Sequence, residues 1–320
     1  MTSQNTIDDQ SVRFFELRDV GLILGLAGLA LISWVWPERY WQVFTRMTAA
    51  VVCPVLRLAG RGHTAIMSVV LEKQPANFDV QKIENANFAA RLEEQLQYLR
   101  EYRPGGWQPS LRMAGAENVE RALQRGTGCI LWIDPLVFCP LVAKKALHAA
   151  GYPPSHLSRY YHGPSNSEFG RRFINVITSR CEDRYLATRL IMKPGSELVQ
   201  TRRLCHLLKS NEVVSIACSH HGASISELPI NVGRLPCATG APTLAVDMNA
   251  PLLPVSVATA SAGGFEITIG APLPASPAPN RRAAVRGLLA ANATRLESIV
   301  NARPASFAAW RNMRLPTSRG

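Results

Sequence analysis

The sequence lacks the cysteine patterns that define disulfide frameworks and structural zinc sites. Its seven cysteines are an odd number, include no CxxC pair and lie mostly in apolar surroundings. Disulfide-rich secreted domains and zinc sites both need paired cysteines at short, regular spacings. We therefore expect buried thiols in a reducing compartment, with no disulfide, no metal site and no cofactor.

Lysine is also scarce, since only six of the 35 basic residues are lysines, and acidic residues number only 23. The formal net charge of +12 requires an anionic partner, which could be nucleic acid, a membrane surface or an acidic substrate. The basic residues form no block interleaved with aromatic side chains, so we expect no nucleic-acid partner. Arginine favours bidentate contacts with phosphate or carboxylate, although a high-GC genome gives the same bias.

Charge is absent from residues 20–36, which form an apolar run of seventeen residues. This length is at the short end of the roughly 17 to 25 residues that cross a membrane, so spanning and shallow insertion both stay open. Trp34, Trp36 and Tyr40 resemble an interfacial aromatic belt. No small-residue cleavage site follows, which favours a membrane anchor over a signal peptide. A buried core helix is the alternative.

The residues after this run predict the topology. Four arginines face a single acidic residue there: Arg39, Arg46, Arg57 and Arg61 against Glu38. This excess places the downstream side in the cytoplasm. Residues 47–58 are apolar but interrupted by a proline and an arginine, which favours a helix lying in the membrane interface. We predict an anchor and interfacial segment over residues 1–62 and an α/β domain over 63–320, at the cytoplasmic face of the inner membrane.

A short buried strand is predicted at residues 129–133, between a Gly-Thr-Gly turn and Asp134. An amphipathic helix over residues 117–124 precedes it. Ligands of open α/β sheets bind beyond the carboxyl ends of strands, which makes Asp134 a candidate catalytic residue. The alternative is that Asp134 caps the next helix, with Pro135 at its first position.

Further strands and helices alternate along the chain and predict a mixed, largely parallel central sheet flanked by helices. The predicted strands are 109–113, 212–218, a segment ending at 257, and 265–269, and the predicted helices are 78–103, 141–150, 195–208 and 281–302, with one more beginning at 240. The strand over 212–218 runs into His220 and His221, two candidate catalytic residues, because neutral imidazole is a ready general base near pH 7.

The segment over residues 156–189 is rich in arginine. This density favours a ligand that carries phosphate or carboxylate. The candidate substrate-binding residues are Arg159, His162, Arg171, Arg172, Arg180 and Arg189. The alternative is a solvated helix face held by Glu182 and Asp183.

Several sequence blocks then resemble a known family. They are Trp36-Pro-Glu-Arg-Tyr40, Gly115-Ala-Glu-Asn118, Gly126-Thr-Gly-Cys-Ile-Leu131, Leu207-Leu-Lys-Ser-Asn-Glu-Val-Val214, Pro229-Ile-Asn-Val-Gly-Arg234, Thr239-Gly-Ala-Pro-Thr-Leu-Ala245, Ala250-Pro-Leu-Leu-Pro-Val255 and residues 304–313. Together they resemble the lipid A biosynthesis lauroyl/myristoyl acyltransferases, a branch of the lysophospholipid acyltransferase superfamily. The order and spacing of the blocks carry the resemblance, which covers nearly the whole chain.

This resemblance implies transfer of a fatty acyl chain from an acyl carrier protein or coenzyme A thioester to a hydroxyl of a glycolipid acceptor. It also implies a mixed sheet flanked by helices, anchored at the cytoplasmic face. Gly233 and Arg234, within one of the blocks, are candidate substrate-binding residues on this basis.

One departure concerns the family's base. The family has a histidine at the strand end near Asp134 and an acidic residue five positions later, whereas residues 134–140 read DPLVFCP. Loss of general-base help costs roughly 10²–10⁴-fold in rate. One hypothesis is a relocated site, in which Asp134 orients His220 or His221. The other is an inactive relative that binds lipid or a partner in a lipid or acyl-chain biosynthesis system. A hydrogen bond between Asp134 and an imidazole would favour the first.

Overall fold

The computed structural model describes residues 13–72, 78–160, 163–165, 167–274 and 279–316. Its strands are β1 (Leu111–Ala114), β2 (Cys129–Ile133), β3 (Ser155–Arg159), β4 (Thr188–Met192), β5 (Val213–Ala217), β6 (Ile225–Ile230), β7 (Gly233–Ala238), β8 (Leu252–Thr259) and β9 (Phe265–Ile269). Its α-helices are α1 (Leu17–Val35), α2 (Trp41–Leu58), α3 (Thr64–Leu71), α4 (Val80–Arg100), α5 (Ala116–Leu123), α6 (Lys144–Ala149), α7 (Asn175–Asp183), α8 (Glu197–Lys209), α9 (Gly240–Met248) and α10 (Arg281–Ala302).

Seven strands form one sheet in the order β1-β9-β8-β2-β5-β3-β4. The β8–β9 pair is antiparallel and every other neighbouring pair in this sheet is parallel. Five strands therefore run in one direction, and β1 and β9 run in the other. Helices flank this sheet, so the predicted mixed, largely parallel α/β fold is confirmed.

Strand β2 lies at the centre of the sheet, between β5 and β8, and all five of its residues are buried. Burial on both faces explains its continuous apolar sequence. The turns on either side of α5 need glycine. Gly115 has φ +83°, and a Cβ there would lie 2.0 Å from the carbonyl oxygen of Ile269; Gly128 has φ +63°, with the Glu212 carbonyl oxygen 2.6 Å away.

Strands β6 and β7 form a separate antiparallel hairpin that packs against α10. At its turn, the backbone N–H of Asn231 donates to Glu297 Oε1 at 2.6 Å. Neither this hairpin nor strands β3 and β4, at the two ends of the arginine-rich segment, were predicted from the sequence.

The N-terminal helices α1 and α2 both pack on α4. Helix α1 is long and apolar enough to cross a membrane, and most of its side chains are exposed. Helix α2 buries Trp41, Thr45, Ala49 and Cys53. Its opposite face exposes an apolar stripe made of Val43, Met47, Val51, Val55 and Leu58. A helix over residues 47–58 is thus present and amphipathic, but it begins earlier than predicted, at Trp41.

Candidate functional site

The candidate site lies at the carboxyl edge of the large sheet. Strands β2, β3, β4, β5 and β8 all end at this edge because they run in the same direction. Asp134 directly follows β2, Arg159 is the last residue of β3, and His220 and His221 lie just beyond β5. Topology therefore brings the main predicted residues to the edge where α/β sheets bind their ligands.

Asp134 forms a bidentate ion pair with Arg295 of α10. Arg295 Nη1 donates to Asp134 Oδ2 at 2.8 Å, and Nη2 donates to the second carboxylate oxygen. Nη2 also donates to Asn292 Oδ1, which fixes the guanidinium plane. The carboxylate is 1% exposed. Burial raises the pKa of Asp134, and the hydrogen bonds and charge of Arg295 oppose that rise.

His220 and His221 stack on each other, with ring centroids 3.7 Å apart. Burial and the charges of Arg159 and Arg314 lower the pKa of His220. Burial, Arg159 and His220 lower the pKa of His221 to about 4. Both rings are therefore neutral at pH 7 and lie in a positive electrostatic field.

The predicted direct pairing of Asp134 with His220 or His221 is not found among the contacts of the described residues. Neither imidazole hydrogen-bonds to the carboxylate within the described part of the chain, and the two carboxylate oxygens accept hydrogen bonds from Arg295 instead. The charges that act on the two rings come from Arg159 and Arg314 for His220, and from Arg159 and His220 for His221. Asp134 is thus held by a partner that the sequence analysis did not identify.

The position five residues after Asp134, where the family has an acidic residue, is also unable to supply a base. Cys139 is fully buried at the start of a π-helical turn over Cys139–Ala143. Burial, with the Asp134 carboxylate, raises the pKa of the Cys139 thiol well above its ordinary value. A buried neutral thiol is neither a base nor a ready nucleophile.

The predicted arginine face is divided among three places. Arg159 lies at the sheet edge close to the two histidines, and Arg171 stacks over Tyr160 there, with its guanidinium 5.5 Å from the ring centroid. The Lys193 ammonium approaches the same ring at 6.0 Å. Arg159, Arg171 and Lys193 with the two imidazoles form what we call the basic edge, which is suited to an anionic group.

Arg172 and Arg180 lie elsewhere, in a cleft of about 580 Å³ between α1, the end of α4 and α7. Its walls include Trp34, Phe173 and Val176. We call it the α1–α7 cleft. Apolar walls with two exposed guanidinium groups match an amphiphile that has an anionic head.

Arg189 is structural. It donates to Glu182 Oε2 at 2.9 Å and pairs with Asp183, and Glu182 also accepts from Lys144 at 2.6 Å. The alternative predicted a solvated helix face held by Glu182 and Asp183; both carboxylates do pair with Arg189, but Arg189 belongs to β4 and its side chain is only 8% exposed. His162 lies outside the described residues.

Gly233 and Arg234, which the resemblance suggested as binding residues, have packing contacts. A Cβ at Gly233 would lie 2.8 Å from Met313 Sδ. The backbone of Arg234 pairs with that of Arg314 through two hydrogen bonds of 2.8 and 2.9 Å. These contacts dock the hairpin onto the C-terminal segment.

A second cleft, of about 550 Å³, lies between α2, α4 and the sheet edge, where Phe138 and Thr259 line it. Glu93 also lines this cleft, and the neighbouring Glu94 accepts the backbone N–H of Phe138 at 2.8 Å. Burial raises the pKa of each carboxyl to about 7. Carboxyl groups with raised pKa values beside a cleft are typical of functional sites, and the sequence did not indicate these two.

Sequence reasoning missed Arg295, Glu93 and Glu94 because nothing in their local sequence distinguishes them. Arg295 is 161 residues from Asp134, and the glutamates read as ordinary polar positions of α4. Among the described residues, no group of three or more His, Cys, Asp or Glu side chains could hold a metal ion.

Comparisons with family models and with curated proteins find no match to this sequence. The likeness to lipid A acyltransferases therefore stays a resemblance, carried by the sequence blocks alone.

Proposed function

We propose that this chain is a membrane-bound, acyltransferase-like protein that binds an acyl-bearing lipid or thioester without transferring the acyl chain. The observation that carries the proposal is the bidentate Asp134–Arg295 pair at the end of β2. This is the position where the related enzymes would need a base. The protein then serves as a binding component of a lipid or acyl-chain biosynthesis system.

Acyl transfer to a hydroxyl requires a base that reaches the hydroxyl proton. Asp134 has both oxygens engaged and is almost completely buried. Cys139 is also buried and holds its proton. Neither residue can accept a proton from an incoming alcohol without breaking packing or the ion pair, which supports a binding role.

The basic edge supports a phosphate-bearing ligand. Arg159 and the neutral imidazoles of His220 and His221 supply hydrogen-bond donors in a positive field. An acyl carrier protein or coenzyme A donor carries phosphate at the end of the pantetheine arm opposite the thioester, and a phosphorylated glycolipid acceptor carries phosphate on its head group. They are the partners we propose, without nucleic acid and without a metal or organic cofactor.

The N-terminal region supports a location at the cytoplasmic face of the inner membrane. Helix α1 is long and apolar enough to enter a membrane, and aromatic and arginine residues follow it. The apolar stripe of α2 adds a second surface for lipid.

A second candidate function, acyl transfer by a relocated base, is favoured by one observation. His220 and His221 are neutral, partly exposed and at the carboxyl edge. A pKa of about 4 makes His221 a weak base, because general-base efficiency is greatest when the pKa is near the working pH. On this alternative, the double variant His220→Ala/His221→Ala loses product while its fold and membrane attachment are unchanged.

The binding proposal is tested by native mass spectrometry of the purified protein with long-chain acyl-CoA. We expect a one-to-one adduct that weakens at least several-fold in Arg159→Ala. Arg202→Ala, an exposed arginine of α8, is the matched control for loss of one charge. Absence of an adduct with acyl-CoA, acylated carrier protein and phospholipid would contradict the proposal.

A further inference from the structure

The N-terminal end of α1 is fastened to the α/β body. Asp19, buried in its first turn, accepts hydrogen bonds from Ser165 Oγ and Ser167 Oγ, each at 2.6 Å. Just before the helix, the carbonyl oxygen of Phe14 accepts the backbone N–H of Phe169 at 2.8 Å. The rings of Phe14 and Phe169 also meet edge to face, with centroids 6.4 Å apart.

The other end of α1 is fastened as well. Trp34 Nε1 donates to the carbonyl oxygen of Leu99 at 3.1 Å. Arg100, the last residue of α4, donates to the carbonyl oxygens of Ser33 and Trp34. These contacts satisfy carbonyl groups in the last turn of α1, which are free in an isolated helix.

Both attachment points belong to one packed unit. The hydroxyl of Tyr102, just after α4, donates to the carbonyl oxygen of Ile177 in α7 at 2.5 Å. The Tyr98 hydroxyl of α4 donates to Glu182 of α7 at 2.7 Å. The surface that α1 follows, from the segment before α7 to the end of α4, is therefore continuous protein.

A spanning orientation is incompatible with these contacts. The nineteen residues of α1 extend about 28 Å at 1.5 Å per residue, close to the thickness of the hydrocarbon core. If α1 crossed the membrane, the surface beneath it would cross too, and it carries Arg172 and Arg180. Neither guanidinium group has an ion-pair partner within the described ranges, and burying two such groups at that depth is costly.

We propose that α1 lies parallel to the membrane surface within one leaflet, so that the protein is monotopic and does not span. The lipid-facing surface consists of the exposed side of α1, including Leu24 and Leu31, and the apolar stripe of α2. Trp36 and Phe44, with ring centroids 5.9 Å apart, join the two helices. Arg172 and Arg180, in the α1–α7 cleft beside α1, meet the phosphate groups of an anionic leaflet. The inference does not depend on whether the protein transfers acyl chains.

Accessibility of the two ends of α1 tests the proposal. Single cysteines replace Arg13 and Arg39, two exposed residues on either side of α1, in a Cys205→Ser background. An impermeant maleimide is applied to spheroplasts and to inverted membrane vesicles containing the full chain. Native Cys205, partly exposed on α8, serves as the reference in the otherwise unaltered protein. We expect both introduced cysteines to react in the same preparation as Cys205. Reaction of the Arg13→Cys protein only from the opposite side would overturn the proposal.

A cross-link decides the case in which lipid shields both sites. Phe14→Cys/Phe169→Cys is treated with a short bis-maleimide in membranes and in detergent, with the two single variants as controls. We expect the same intramolecular cross-link in both environments. A cross-link that forms only in detergent would show that α1 leaves the body in the membrane and would overturn the proposal.

Discussion

Asp134 and Arg295 are the residues on which the proposed loss of catalysis depends. Arg295→Met leaves the Asp134 carboxylate buried and without its charge partner. Breaking a buried pair in this way costs about 3–5 kcal/mol of unfolding free energy. We expect a loss of that order in chemical denaturation.

The matched control is Asp134→Asn/Arg295→Met, which removes both charges. We expect it to recover much of the lost stability, because the unpaired charge is gone. Equal losses in the single and double variants would mean that the pair contributes through packing alone.

Glu94 makes stability depend on pH. Burial raises its pKa to about 7 from 4.5, with Glu182 adding to the rise and the Phe138 N–H, Arg91 and Lys144 opposing it. The folded state therefore binds the Glu94 proton more readily than the unfolded state. This contribution to stability is complete below about pH 4.5, falls as pH rises, and is lost above about pH 7.

Glu94→Gln removes this titration and keeps an oxygen that accepts the Phe138 N–H. We expect the variant to lose less stability than the natural protein between pH 5 and pH 8, measured as the change in Tm. The neighbouring Glu93 carboxyl has a similarly raised pKa. The Glu93→Gln variant therefore measures how much of the pH dependence of Tm comes from Glu93. Parallel Tm profiles for Glu94→Gln and the natural protein would refute the assignment.

The sequence located Asp134 but not its partner. A buried strand followed by a charged residue can be recognised locally, whereas Arg295 meets Asp134 only through the packing of α10. The pairing of Arg189 with Glu182 and Asp183 was among the alternatives open from the sequence, because these carboxylates are only seven and six residues away. Residue types and their positions along the chain were thus predictable, and their pairings across it were not.

Helix α2 carries the apolar stripe through which we expect it to contact lipid. Val51 is 70% exposed on this stripe. Val51→Asp adds a charge that is costly in the membrane interface but harmless in water, so we expect reduced recovery in the membrane fraction with an unchanged Tm in detergent. The measurement is membrane flotation.

Val199→Asp is the matched control, since Val199 is 62% exposed on α8. Its flotation is expected to equal that of the natural protein. Equal flotation of the Val51→Asp protein would instead remove α2 from the lipid-binding surface.

Elements with strong periodicity or continuous burial were predicted well. Strands β2 and β9 and helix α10 have the predicted bounds. The hairpin of β6 and β7 was missed because prolines interrupt both strands and disguise the strand pattern. Strand β3 was missed because Leu157 is the one apolar residue among its five, and β4 was missed because its short apolar run, 190–192, directly follows the arginine-rich segment.

At the scale of the whole molecule, two surfaces define its proposed role. The carboxyl edge of the sheet carries cationic groups suited to an anionic ligand. At the end of the central strand, β2, Asp134 is held in a buried ion pair with Arg295. The N-terminal helices and the α1–α7 cleft form a surface suited to a membrane. On this proposal, the protein binds its ligands at a membrane without the base that acyl transfer requires.

The α1–α7 cleft should contribute to selectivity for anionic membranes. Arg172→Ala/Arg180→Ala removes both of its guanidinium groups. We expect weaker binding to vesicles that contain anionic phospholipid, with the difference shrinking as salt screens the charges. Vesicle co-sedimentation at low and high salt measures this effect.

Arg202→Ala/Arg203→Ala on α8 removes the same charge from exposed positions and is the control. Equal weakening in both double variants would indicate net charge alone. No weakening in the Arg172→Ala/Arg180→Ala protein at low salt would exclude the cleft from membrane binding.

The central claim is that the protein binds acyl-bearing ligands without transferring the chain. The direct measurement is mass spectrometry of lipid products after incubating the purified, membrane-reconstituted protein with a panel of acyl thioesters and lipid acceptors. The account predicts no acylated product above the protein-free reaction for any donor. Robust product formation by the natural protein, lost in His220→Ala/His221→Ala, would contradict it and establish the relocated base instead.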